Sequence, residues 1–193
     1  MKTASILVLF VCLAGGAVAQ LDPGPDGIGI YFDMDATIFC TTTAAPFTSI
    51  TAYLLITDPS TSEPITGWEA RCWITGAPVA PSWSLANGVD LDPDPLIYDV
   101  SFDPVQPTGS TFLLATWTGF IMAPTDLISF DITGVPGSVR FPDSPGYITD
   151  GLVPRLHPLH TMFYPASFVA MINGNCSLGN EDATFSALKT LFH

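Results

Sequence analysis

The sequence predicts an all-β fold: a single β-sandwich of about eight to nine strands, followed by a short C-terminal α-helix. Three observations carry this expectation. Short runs rich in Val, Ile, Thr, Tyr, Phe and Trp recur along the chain, and these residue types suit a pleated, half-buried surface. The 16 Gly and 18 Pro are spread between those runs rather than gathered in one block, which is the punctuation of a sandwich or barrel. One run, Ser49-Ile-Thr-Ala-Tyr-Leu-Leu-Ile56, places Ile50, Ala52, Leu54 and Ile56 on one face, the period of two expected of a half-buried strand.

The chain opens with a basic Met1-Lys2 and an apolar run from Ile6 to Leu13. That run has about the length of a signal-peptide core and is too short to span a bilayer. Ala17-Val18-Ala19 supplies the small residues a signal peptidase reads. Residues 1–19 are therefore expected to be removed between Ala19 and Gln20, and residues 20–193 to work outside the cell or in a periplasm. Strands are expected over 28–33, 49–57, 65–74, 96–102, 111–122, 127–133, 138–141 and 168–173, with a further short run over 152–156. The last dozen residues differ. Glu181 and Asp182 fall in a first turn, Lys189 in a last turn, and Phe185, Leu188 and Phe192 recur at helical spacing. A helix over 181–192 follows, oriented as the helix dipole favours. So short a helix is marginal alone and must dock on its own sandwich or on a partner. No repeat or long linker divides the mature chain, which reads as one domain.

The formal net charge is −13, from 18 acidic and 5 basic residues. An excess of that sign argues against nucleic acid and anionic membrane surfaces, which need Lys/Arg patches. After removal of the leader three cysteines remain: Cys40, Cys72 and Cys176. An odd count in an oxidising compartment implies one disulfide and one leftover thiol, with three pairings open. Cys40 and Cys176 lie among turn formers, whereas Cys72 shares a strand face with Trp68, Ala70 and Ile74. The pairing favoured here is Cys40–Cys176, leaving Cys72 free and buried. In the chain-entropy picture a loop of that length is worth about 4–5 kcal/mol as an upper figure.

Trp68 follows Ile65-Thr-Gly67 after a Pro-rich loop, and Leu113-Leu-Ala-Thr-Trp117 and Leu127-Ile-Ser-Phe-Asp-Ile-Thr133 come later. This order resembles that of cohesin-type, immunoglobulin-like modules. The start Gly29-Ile-Tyr-Phe-Asp33 with Cys40, and the ending Ile172-Asn-Gly-Asn-Cys176 followed by 181–192, are similar to a group of uncharacterised exported bacterial proteins. The resemblance implies a nine-stranded jelly-roll sandwich. It implies no shared ligand, because fold does not fix function.

Candidate sites are few. Asp22, Asp26, Asp33 and Asp35 flank the first strand, and Asp90, Asp92 and Asp94 form another group. Clustered carboxylates on loops suit Ca²⁺, although the EF-hand spacing is absent and Asp-Pro and Asp-Gly are also ordinary turn chemistry. His157-Pro-Leu-His160 offers two imidazoles without the helix that would align them. Trp73 falls on the face opposite Trp68 and Cys72, beside Glu69 and Arg71, which lie two apart and would pair at the surface. Trp83 lies in a loop over 78–84. An exposed Trp can stack on a sugar, but Trp is equally a core residue or interface anchor. Glycoside hydrolysis would need two carboxylates facing one cleft. A Ser nucleophile would need a His partner, and Ser110 and Ser138 follow Gly in turns with no His motif beside them.

The expected function is an exported, non-catalytic structural or interaction module, serving adhesion or assembly by contact with a protein or glycan at the cell exterior. The alternative is a carbohydrate-binding module using Trp73 or Trp83, with Ca²⁺ as a possible aid and no other cofactor. A hydrolase with an unrecognised site is the third reading.

Overall fold

In a computed structural model of the protein, residues 24–151, 153–162 and 168–174 are described. The expected leader, the expected helix over 181–192, Asp22 and Cys176 lie outside them. The described residues are all-β, with thirteen strands in two sheets and no helix. In chain order the strands are β1 (Gly27–Tyr31), β2 (Cys40–Thr41), β3 (Thr48–Thr57), β4 (Ile65–Thr75), β5 (Val79–Leu85), β6 (Val89–Asp90) and β7 (Ile97–Val105). They continue with β8 (Thr111–Ile121), β9 (Ile128–Thr133), β10 (Gly146–Thr149), β11 (Arg155–Pro158), β12 (His160–Thr161) and β13 (Phe168–Ile172).

The first sheet has the order β12-β1-β3-β8-β5, with β12 parallel to β1 and the rest antiparallel. The second sheet is built on β4. One side of β4 carries β7, which in turn carries β6. Its other side pairs with β10 along its first half and with β9 along its second. β11 extends β10, and β13 and then β2 extend β9. More strands occur than the sequence suggests because β2, β6 and β12 are two-residue pairings that no periodicity could reveal.

The two sheets face each other across a shared apolar core. Trp117 of β8 meets Phe130 of β9 edge-on at 4.9 Å between ring centroids, and Trp68 of β4 stacks on Tyr98 of β7 at 5.5 Å. Trp68 and Trp117 are fully buried. Each removes roughly 200 Å² from water, worth about 5 kcal/mol at about 25 cal/mol per Å². The alternation in β3 holds: Ala52, Leu54 and Ile56 are in the core. β1 departs from alternation, with all five residues buried. The segment after β1 crosses over the outer face of the first sheet, and Ala36 and Phe39 cover Tyr31 and Leu55 there.

Two sequence expectations change. Residues 138–141 form a turn rather than a strand, because the Ser138 hydroxyl accepts the N–H groups of both Arg140 and Phe141. Phe141 then packs onto Gly146, where any added Cβ would collide with its ring. The loop expected over 78–84 is instead mostly strand: β5 (Val79–Leu85) lies there, on the edge of the first sheet.

Candidate ligand cleft

β5 ends the first sheet, and β7 with β6 ends the second on the same side of the sandwich. Between these edges lies a cleft of about 610 Å³, within the usual range for small-molecule sites, roughly 300–1,000 Å³. β4 builds its floor. β7 ends opposite Arg71, yet β4 runs on to Thr75, so Cys72, Trp73 and Ile74 are left beside the opening. β5 contributes Trp83 and Leu85, β7 contributes Tyr98, and Leu96 lies in the segment leading into β7.

Trp83 owes its place to an irregular edge strand. Pro81 removes a ladder donor, which confines β5 to an edge. Ala80 takes φ 49°, a left-handed value that costs a non-glycine residue of order 1–2 kcal/mol. The pairing with β8 slips between Val79 and Ser82, so Trp83 comes to face Trp117. From there its ring meets Tyr98 edge-on at 6.3 Å and 67°. Trp73 lies on the face of β4 opposite Cys72 and meets the cleft at its rim; its ring carries the Arg71 guanidinium at 5.2 Å, an attraction of about 0.5–1 kcal/mol where water competes. Both tryptophans are half-buried. Trp83 is a cleft wall and Trp73 stands at the rim, so the two do not form a flat exposed platform.

The polar groups of the cleft are few. Asp90 Oδ1 accepts the N–H of Asp92 at 3.2 Å and of Asp99 at 3.1 Å, which aims this carboxylate from the end of β6. Tyr98 is 7 % exposed, and among the described residues its hydroxyl makes no hydrogen bond. Burial, with Cys72 and Asp90 nearby, pushes that hydroxyl well above the usual tyrosine value, so it stays protonated. Cys72 is a free thiol, 2 % exposed, and burial pushes it up to about 12. Cys40 is not a free thiol.

Glu69 and Arg71 do not pair with each other. Glu69 is 3 % exposed, because the 134–141 turn lies over that part of β4. The Arg140 Nη2 group donates to Glu69 at 2.8 Å and to Asp99 at 2.6 Å, and the Ser138 hydroxyl donates to Glu69. Glu69 and Asp99 are direct partners across β4 and β7. One guanidinium thus clasps two cross-strand carboxylates and fastens the turn to the sheet. A cavity of about 260 Å³ opens beside this clasp.

Of the aspartates expected as Ca²⁺ ligands, Asp26 and Asp33 hold local structure. Asp26 accepts the Ser60 N–H at 2.9 Å, the Ser60 hydroxyl at 2.5 Å and the Tyr147 hydroxyl at 2.6 Å. Burial opposes its ionised form, but these hydrogen bonds outweigh it and hold the carboxyl below its ordinary value of 3.8. Asp33 accepts from the Thr37 and Ile38 N–H groups and the Thr37 hydroxyl, fixing the turn that crosses the first sheet. β1 separates Asp26 from Asp33 by roughly 16 Å of strand. Asp35 is exposed on that turn. Asp90, Asp92 and Asp94 each bond the N–H two residues on, a run of Asx turns. Among the described residues, no group of three or more His, Cys, Asp or Glu is placed to hold a metal ion. His157 lies flat on Tyr147 at 4.6 Å, and His160 is exposed on β12.

Sequence reasoning singled out Trp73 and Trp83, and the fold brings both into one cleft. It missed Tyr98 and Asp90 as members, and Ser60 and Tyr147 as partners of Asp26. The alternation Trp83, Leu85 against Ser82, Ser84 is a readable strand signal; Pro78 and Pro81 concealed it. Compared with family models, characterised proteins and solved structures, the chain matches none.

Proposed function

We propose that the protein is an exported, non-catalytic binding module that takes its ligand in the cleft between β5 and β7. The observation that carries this reading is the convergence of Trp83, Tyr98 and Asp90 from three strands and two sheets on one concave site. Aromatic walls with a few aimed polar groups are the usual make-up of such sites. A non-catalytic role is supported by the way the converging acids are engaged: Glu69 and Asp99 share Arg140, and Asp26 is held by Ser60 and Tyr147.

The leader over 1–19, the Cys40–Cys176 bridge, the cohesin-like strand order and the docked helix over 181–192 belong to the same proposal. The leader rests on its sequence pattern. The bridge is supported by the free, buried state of Cys72 and by the register that sets Cys40 beside Met171, five residues before Cys176. The test is fluorescence titration of the mature chain with a panel of neutral oligosaccharides, acidic oligosaccharides and proline-rich peptides. Binding of at least one class, lost in Trp83→Ala and kept in Phe120→Ser on the outer face of the first sheet, is the expected result. Binding indifferent to Trp73 and Trp83, or none across the panel, would refute the cleft as the site.

A further inference from the structure

Resting on the cleft reading, we infer that the ligand is a neutral oligosaccharide, bound with the C–H face of a sugar ring against Trp83 and its hydroxyls on Tyr98 and Asp90. Four features of the cleft select this class.

The first is its mixed character. The tryptophans offer apolar ring faces, and a pyranose presents a patch of C–H groups of matching flatness on one side and hydroxyls around its rim. Such stacking contributes on the order of 1 kcal/mol per ring beyond the area it buries.

The second is the Tyr98 hydroxyl. It belongs to a side chain 93 % buried, it lines the cleft, and it has no hydrogen-bond partner among the described residues. The buried side-chain atoms without a partner among the described residues are Thr57 Oγ1, Trp68 Nε1 and Trp117 Nε1, so the Tyr98 hydroxyl opens to water in the cleft, and a ligand that replaces that water gains about 0.5–1.5 kcal/mol, the net worth of a hydrogen bond. The hydroxyl stays protonated in this setting and is therefore a donor as well as an acceptor.

The third is the sign of the polar groups. Asp90 is an acceptor only, while the indole N–H groups of Trp73 and Trp83 are donors only. A sugar hydroxyl donates and accepts, so one chemistry satisfies both kinds. Asp90 Oδ1 already accepts two backbone N–H groups; a proline-rich peptide, the other natural occupant of aromatic grooves, presents mainly carbonyl acceptors and would bring no donor to Oδ2.

The fourth is charge. The chain carries a net −13, and Asp90 stands in the cleft itself. Uronates and sulfated sugars would meet repulsion at long range and at contact. Neutral sugars meet neither. Arg71 keeps its positive charge but does not line the cleft, so the sign at the site remains that of Asp90.

The experiment is titration calorimetry of the mature chain with cellohexaose, chitohexaose and mannohexaose, with hexagalacturonate as the anionic counterpart and a proline-rich decapeptide as the alternative occupant. At least one neutral hexasaccharide is expected to bind at least tenfold more tightly than hexagalacturonate or the peptide. Trp83→Ala should weaken it at least tenfold. Tyr98→Phe, which keeps the ring and its stack on Trp68, should weaken it about threefold to tenfold with the melting temperature preserved. If the peptide binds more tightly than every sugar and Trp83→Ala abolishes it, the cleft reading stands and the sugar inference falls. The same holds if hexagalacturonate binds best. If a sugar binds and Tyr98→Phe and Trp83→Ala both leave its affinity unchanged in folded protein, the inference and the cleft reading fall together, as they do if none of the five probes binds.

Discussion

Replacing Arg140 by Ala should be the most informative single perturbation of the scaffold. Glu69 sits 97 % buried on β4 and has two polar partners, Arg140 Nη2 and the Ser138 hydroxyl. Removing one partner of a fully buried ion pair costs about 3–5 kcal/mol, because the remaining charge stays desolvated. Two features lower the figure here. Arg140 is itself 37 % exposed, and the adjoining cavity of about 260 Å³ can admit water to Glu69. A loss of about 2–3 kcal/mol follows, which for a domain of this size is a fall of about 4–12 °C in melting temperature. The Arg140–Asp99 contact, with both side chains about one-third exposed, contributes no more than about 1 kcal/mol of this. Urea unfolding of wild type, Arg140→Ala, Glu69→Gln and the double variant separates the two contacts. Arg140→Ala should cost about 1 kcal/mol or less once Glu69 is neutral, giving a coupling of about 1–2 kcal/mol. A cost of about 0.5 kcal/mol in both backgrounds would mean that Glu69 is solvated, and the clasp would then be an ordinary surface pair.

Tyr147→Phe removes a hydroxyl that a fully buried ring donates to the Asp26 carboxylate and should cost about 1.5–3 kcal/mol in the same assay. Asp26 also sets an acid limb. Its carboxyl is depressed in the fold, so its contribution is present above the unfolded value near 3.8 and is lost as pH falls through the lower folded value. Asp26→Asn should flatten the fall in melting temperature below about pH 4; an unchanged acid limb would refute this. Cys72, buried with its thiol raised to about 12, should resist a thiol reagent at pH 8 in the native state. In guanidinium the mature chain should show one reactive thiol without reductant and three with it. Three without reductant would eliminate the Cys40–Cys176 bridge.

The long strands were legible because burial imposes period two on them. β3, β4, β7, β8, β9 and β13 fall within a few residues of where apolar alternation and β-branched content place them. β5 was hidden by its prolines, and the 138–141 turn was mistaken for a strand because its bonds come from the Ser138 side chain rather than from its apolar pattern. The cleft was half legible. Trp73 and Trp83 are conspicuous in the sequence, but their meeting depends on which strands end the two sheets, and the 134–141 turn buries Glu69 from 65 residues or more away in sequence. Neither is encoded by local pattern. The aspartates are ambiguous for the opposite reason: a carboxylate that folds its own turn and one that awaits a cation look the same in sequence.

The central claim, that the cleft walled by Trp83 is the binding site, is tested most directly by the indole N–H resonances of ¹⁵N-labelled mature protein during titration with the hexasaccharide that binds most tightly. The chain has four tryptophans, and the two fully buried ones, Trp68 and Trp117, serve as internal controls. The account predicts a saturable shift of the Trp83 signal, larger than any at Trp73 on the rim, while that of Trp117 stays fixed. Saturable binding that leaves Trp83 unmoved would contradict it.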